Sequence, residues 1–445
     1  MNVVRGSCGR CSERRCSAAT TLLKRPADAA LSQGIWAVLA VFLLIYIVKS
    51  NERFSARQEE REKQYQELLS ALTEKFNVLS VIERDITEVK EYIMADTKEV
   101  NQIYVAVDCG KSDTKLVSYN VTGNKKIKAK FRTKISPGTF DDDMYGRGTF
   151  IAQIDDGPVY KVGRDARTEP SLESTKKTDI HRVCTLAAIA YACGSKGDND
   201  VTIAIGLPLQ ICNIAEERIE YKDFILGEIG KEHTVKIKPV CNGPVLTVKF
   251  RFKAERVYPE GIGVLYEYPT QFSGPTGIID IGNLNINLLY SDQFLPLNES
   301  CSTDELGGQI LLTGLAQELT SNFARCDEHM ALSILARKEL NRCLPDKTGK
   351  HPEIVEESRK IIKNNLSEYV GKIKGKCDAK HWPIAYMDLV AMGGTSKLIS
   401  EELKEAFGDQ IFIPEEPEFV NAKGFLRKIC ADDGIDVKAT QTEEG

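Results

Sequence analysis

The chain has 445 residues, 42% of them hydrophobic, and a formal net charge of −5. That length leaves room for more than one domain, and without a basic excess no direct nucleic-acid binding is expected. Its 13 cysteines are scattered and odd in number, which argues against a complete disulfide framework and reads as reduced thiols filling cores.

Residues 1–33 are basic, rich in small residues and aperiodic, and are expected to form a disordered tail. Cys8, Cys11 and Cys16 cluster there among arginines, but no nearby histidine supplies a fourth ligand, so a zinc site is not expected. Residues 34–48 hold the uninterrupted apolar run IWAVLAVFLLIYIV. At about 1.5 Å per residue this run reaches ~21 Å, short of the ~30 Å hydrocarbon core, and Ala29, Ala30 and Leu31 extend it. Lys49-Ser50-Asn51-Glu52 offers no small-residue cleavage site, which favours a single transmembrane helix over a signal peptide.

Residues 49–100 contain neither Gly nor Pro. Leu72, Phe76, Leu79, Ile82, Ile86, Val89 and Ile93 recur at three- and four-residue steps, which predicts a long amphipathic helix, either a solvated stalk or a coiled coil. The segments SQGIWAVLAVFLLIYIVK and RQEEREKQYQELLSALTEKFNVL together resemble the BhlA/UviB holin-like bacteriocin proteins, over residues 32–93. That resemblance implies membrane insertion and self-association.

Tyr104 to Tyr119, YVAVDCGKSDTKLVSY, reads as a β-hairpin: an apolar run, Asp108, Gly110, then period-two alternation. A basic strand near Ile127–Phe131 and an Asp- and Gly-rich loop from Ser136 to Gly148 follow. His181–Cys193 is a small-residue helix, with His181 read as a helix-start or core residue, and Val201–Leu209 is a buried strand stopped by Pro208. A helix or turn begins near Tyr221, strands lie near Val235 and at Leu246–Phe252, and Phe252–Glu267 enters a turn and then a helix.

Gly277 to Ser291, GIIDIGNLNINLLYS, repeats the first hairpin: aligning Asp280 with Asp108 also aligns Gly282 with Gly110. Amphipathic helices are expected at Leu306–Leu319 and Glu353–Ile373. The strand in LVAMGGTSKLI, Leu389–Ile399, runs into Gly393-Gly394, with Thr395 and Ser396 as candidate caps of the next helix. Residues 431–445 form an acidic tail expected to be loose. Strands alternate with helices throughout, so the class is α/β.

A duplicated strand-Asp-x-Gly-strand suits nucleotide binding. Glycine at each tip lets backbone N–H groups cradle phosphate oxygens. Asp108 and Asp280 cannot touch phosphate, but each can hold Mg²⁺ through water. Lys115, on the strand leaving the first hairpin, can reach a phosphate, and the glycines at 393 and 394 admit a flat adenosine. The plainer reading is a pair of ordinary hairpins with turn-favouring Asp and Gly.

These motifs, in this order, resemble the actin-like ATPases, most closely the ParM/StbA plasmid-segregation group, over residues 101–430. IGLPL, YPEGIG with Glu260, and NAKGFL from Asn421 to Leu426 add to that resemblance. It implies an actin-like fold, with duplicated ribonuclease-H-like halves (101–269 and 270–430) around a nucleotide cleft, preceded by the transmembrane and coiled-coil helices. It further implies binding of ATP (or GTP) by Asp108, Gly110, Ser112, Lys115, Asp280, Gly282, Asn283, Gly393 and Gly394. Asp108 and Asp280 would hold Mg²⁺ through water, and Asp280, Glu260 and Asp108 would be catalytic in phosphoanhydride hydrolysis. The implied partners are other copies in a filament, a DNA-bound adaptor protein, and the membrane through residues 34–48. Asn283-Leu284-Asn285 departs from the family's usual glycine and threonine, a change easier on binding than on fast hydrolysis.

Near the apolar run, Lys24 and Arg25 precede it and Lys49, Arg53, Arg57, Arg61 and Lys63 follow it. The positive-inside rule then puts the ATPase part in the cytoplasm. Counting Arg5, Arg10, Arg14 and Arg15 nearly cancels the bias, and the need for ATP decides the orientation. Two alternatives stay open: a holin-like membrane protein with the ATPase part as regulator, and an artefactual fusion of two neighbouring genes. A sugar kinase or chaperone of the same core ranks lower, since no sugar pocket or peptide-binding domain is evident.

Overall fold

The computed structural model describes residues 39–52, 61, 63, 65–66, 100–170, 176–194, 197–323, 325–345, 351–437 and 442–444. The chain divides into two units, Met1–Thr97 and Lys98–Gly445. In the first, residues 39–52 are helical, and Leu39, Phe42, Leu43, Tyr46 and Ile47 are exposed. Among the described residues, no helix is long and apolar enough to cross a membrane. The tail expected at 1–33, the start of the apolar span at 34–38 and the periodic stretch Leu72–Ile93 lie outside the described residues.

The second unit is built on two sheets. The larger has β1 (Val100–Cys109) at its centre, antiparallel to β2 (Asp113–Asn120), which is antiparallel to β3 (Lys125–Arg132). Short strands β4 (Ile135–Pro137), β5 (Thr149–Ile154) and β6 (Val159–Gly163) form its far edge. On its other side β1 runs parallel to β7 (Asp198–Leu207), which leads through β9 (Leu246–Pro259) and β8 (Glu232–Lys238) to that edge.

Side chains of β1 alternate between two cores, as the pleat requires. Ile103, Val105 and Val107 pack with Val183, Leu186 and Ile189 of the helix Asp179–Cys193. Tyr104 and Ala106 face Phe425, Leu426 and Ile429 of the helix Val420–Asp432. Covered on both faces, β1 reads as a nearly continuous apolar run.

The second sheet repeats the plan. β10 (Thr276–Ile281) is antiparallel to β11 (Ile286–Asp292) and parallel to β14 (Asp388–Met392). β12 (Leu295–Pro296) and β13 (Ser302–Asp304) pair with β11. Ile279 and Ile281 pack with Leu311, Leu315 and Leu319 of the helix Gly308–Asn322 and with Ile362, Leu366 and Ile373 of the helix Pro352–Ala379. Ile278, Leu289 and Val390 share the third core with Tyr104, Ala204 and Phe425, so the helix Val420–Asp432 lies against both sheets.

Three elements differ from the sequence expectation. β9 continues past Phe252 to Pro259, because its parallel pairing with β7 carries on to Leu207↔Pro259 after a register shift at Val201/Thr202. The acidic end is not wholly loose: Thr442–Glu444 (β15) pairs parallel with Lys126–Lys128, completing an edge strand rich in lysine. The helix after β14 is not capped by Thr395 or Ser396. A 3₁₀ turn, Ser396–Ile399, intervenes before the helix Ser400–Phe407, and both hydroxyls bond elsewhere. The ten described cysteines are free thiols, eight of them buried.

Candidate functional site

Both hairpin turns close with the same bond. Gly110 N–H donates to Asp113 O at 3.1 Å, and Gly282 N–H donates to Asn285 O at 2.9 Å. A Cβ at either glycine would sit at 3.0 or 2.9 Å from that carbonyl, so each tip is too tight for a side chain without adjustment. The duplication legible in sequence is therefore a duplication in backbone geometry.

Strand register sets the side chains that follow. Asp108 lies opposite Lys115, whose ammonium is 3.6 Å from Asp108 Oδ2. Asp280 lies opposite Asn287 and beside Met392. Glu260 follows β9, and its N–H extends the β7 pairing by donating to Leu207 O at 2.8 Å. Gly206 keeps the space between two of these groups open: a Cβ there would lie 3.3 Å from Glu260 Cγ and 3.7 Å from Asp108 Oδ1. Asp108, Glu260 and Asp280 are all buried.

Charge at this cluster is out of balance. Burial, reinforced by Asp108 and Glu260, pushes the Asp280 carboxyl up to about 7, against the opposing pull of Lys115 and an Asn421 hydrogen bond. Burial works against the Lys115 ammonium, yet Asp108, Asp113, Asp280 and Glu260 together hold its pKa above the usual value. A carboxyl held towards neutrality by burial and by neighbouring carboxylates is a place where a cation is favoured. Among the described residues, no three His, Cys, Asp or Glu side chains converge to hold an ion directly.

Other residues singled out from sequence fall into two groups. Gly282 and Asn283 sit at the second tip, where their carbonyls accept N–H bonds from Gly308 and Gln309 at 2.9 and 2.8 Å. The helix Gly308–Asn322 is thereby docked on the hairpin. Gly393 backs the same hairpin with φ +86°, and a Cβ would meet Ile281 O at 2.4 Å and Asp280 Oδ1 at 2.8 Å. Gly394 is exposed with open space around it, so it, and not Gly393, offers the free face. Ser112 is engaged at the side of its turn, accepting from Arg132 Nη1 at 2.6 Å and donating to Asp113 Oδ2 at 3.2 Å. His181 is fully buried and neutral, since burial, with Lys176 and Lys111, lowers its pKa to about 3.

Sequence reasoning missed Lys176 and Asn421 as individual residues. Lys176 is buried, donates to Cys109 O at 2.9 Å and pairs with Glu260. In sequence, Lys176-Lys177 reads as solvated surface charge. Asn421 Oδ1 accepts the Gly261 N–H at 3.0 Å. It stands in the NAKGFL segment, but nothing local marks it.

Residues 106–263 match the family model "Actin like proteins N terminal domain", and residues 27–91 match the "BhlA holin family". No curated protein matches the chain in sequence. Among solved structures, the Alp12 filament is similar at 22% identity and a TM-score of 0.57, covering 75% of this chain and 100% of that one. The archaeal actin homologue Ta0583 in complex with ADP is similar at 18% identity and a TM-score of 0.54, covering 74% and 99%. Bacillus thuringiensis ParM with ATP gives 16% identity and a TM-score of 0.55, covering 75% and 99%. The second unit has the actin-like α/β fold.

Proposed function

We propose that this chain is an ATP-driven, actin-like filament protein tethered to a membrane by its N-terminal apolar helix, as in plasmid or DNA segregation. The observation that carries the reading is the pair of matched hairpins, which bring Asp108 and Asp280 to one buried cluster with Glu260. The same geometry favours phosphoryl transfer to water, a reaction in which positioning and electrostatics do most of the catalysis.

In this reading the backbone N–H groups of the two tips cradle the phosphates, and Lys115 offsets charge that develops on them. Mg²⁺, when bound with nucleotide, would draw charge from the phosphate oxygens, and Asp108 and Asp280 would hold its water shell. Asp280 and Glu260 would orient the attacking water. Adenosine would lie over Gly394. Self-association follows the Alp12 filament; the adaptor and the DNA cargo are extensions of the ParM resemblance.

The tether rests on the match of residues 27–91 and on the exposed apolar side chains between Leu39 and Ile47. The same two observations favour a second reading, in which membrane insertion is the primary activity and the nucleotide unit regulates it. Negative-stain electron microscopy of the detergent-solubilised chain tests the main proposal. Filaments that form with ATP·Mg²⁺ and are absent without nucleotide support it. Dispersed particles under both conditions contradict it.

A further inference from the structure

Lys176 is placed where a lysine is costly. Its side chain and that of Glu260 are 5% and 7% exposed, so neither charge is hydrated and each depends on its partners. Among the described residues the ammonium bonds Glu260 and the Cys109 carbonyl, the latter at 2.9 Å. Cys109 ends β1, directly between Asp108 and Gly110 of the first turn. Glu260 is itself fixed at the backbone by its bond to Leu207 O. One buried ammonium therefore connects the root of the first hairpin to the carboxylate that follows β9.

Glu260 needs such a partner. Asp108 lies close by across Gly206, where a Cβ would be 3.7 Å from Asp108 Oδ1 and 3.3 Å from Glu260 Cγ, and a glutamate side chain has the freedom to swing away from that like charge. Lys115 already pairs with Asp108 from the opposite strand. Nearby His181 is neutral and supplies no competing positive charge.

We propose that Lys176 is a positioning residue: it holds the Glu260 carboxylate against the first hairpin and acts on hydrolysis through Glu260, without binding nucleotide itself. The inference rests on the reading of Glu260 as an orienter of the attacking water. Misplacement of such a group by about 1 Å costs on the order of 100-fold in rate.

A double-mutant cycle on the full chain tests this, with Lys176→Met, Glu260→Gln and the two combined, each measured for ATP affinity and for phosphate release under saturating ATP. The expected result is that Lys176→Met lowers kcat by about 10- to 100-fold with ATP affinity little changed. The combined variant should then be no slower than Glu260→Gln alone. Because it loses both buried charges together, it keeps the comparison available if Lys176→Met fails to fold. A tenfold loss of ATP affinity in Lys176→Met overturns the inference, as does a combined variant slower than Glu260→Gln by the full single-mutant factor. Unchanged hydrolysis in Lys176→Met also sinks it while leaving the site reading intact. Absence of hydrolysis by the parent chain overturns the site reading, and this inference with it.

Discussion

The side-chain amide of Asn421 lies 3.4 Å from Asp280 Oδ2 through Nδ2, while its Oδ1 takes the Gly261 N–H at 3.0 Å. One residue of the helix Val420–Asp432 thus joins the second hairpin to the turn carrying Glu260. That helix also passes so close to residue 263 that a Cβ at Gly424 would lie 1.8 Å from Gly263 O. One tightly packed element thus touches the Asp280 carboxylate and the backbone beside Glu260.

That environment makes stability depend on pH. The Asp280 carboxyl is raised from an ordinary 3.8 to about 7 in the folded chain. Below the lower value both folded and unfolded chains keep the proton. Between the two values the unfolded chain releases it and the folded chain does not, so stability falls as pH rises and the loss is complete above the folded value. Its size is on the order of 4 kcal/mol at most. Asp280→Asn should therefore melt higher than the parent at pH 8, in chelator without nucleotide, with the gap closing towards pH 4. A gap independent of pH would contradict the assignment.

Asp280→Ala should abolish hydrolysis and leave nucleotide binding largely intact. In the proposed mechanism the phosphate cradle is mostly backbone, whereas this carboxylate would act on the metal's water shell and the attacking water. A loss of roughly 100-fold or more in phosphate release is expected, with ATP affinity measured in parallel. Turnover at the parental rate would remove the second hairpin from the catalytic account.

The two glycines after β14 should respond differently. Gly393→Ala places a Cβ against Ile281 O and Asp280 at positive φ, so it should lower the melting temperature and disturb hydrolysis. Gly394→Val projects into open space. It should leave the fold intact and weaken ATP binding by obstructing the adenosine face. Parental ATP affinity in Gly394→Val would move adenosine elsewhere.

Much of this was legible in sequence where local pattern determines structure. Period-two alternation around Asp108–Gly110 and Asp280–Gly282 specified both hairpins, because the turn glycine and the pleat are local. The site's supporting residues were not legible for the opposite reason. Lys176 meets Glu260 from 84 residues away, and Asn421 meets Asp280 from 141 residues away. No local periodicity reports such pairings. Thr395 and Ser396 had the chemistry of helix caps, but other acceptors take their hydroxyls: Gly282 O, distant in sequence, takes that of Thr395, and Gly393 O, in the same turn, takes that of Ser396. The length of β9 was likewise set by pairing with β7, beyond what its own alternation shows.

In the tethered reading, membrane orientation would follow from charge and fuel together. Five basic residues from Lys49 to Lys63 follow the apolar run closely, against Lys24 and Arg25 before it, which favours the nucleotide unit in the cytoplasm. A protease added to intact cells should leave the unit beginning at Lys98 uncut, and lysis should expose it. Digestion in intact cells would contradict the tethered filament.

The most direct test of the central proposal is high-speed sedimentation of the detergent-solubilised chain, with phosphate release scored in the same tube. The proposal expects the chain to pellet with ATP·Mg²⁺, to stay in the supernatant without nucleotide, and to release phosphate as the pellet forms. An equal pellet with and without ATP, accompanied by no phosphate release, would contradict an ATP-driven filament.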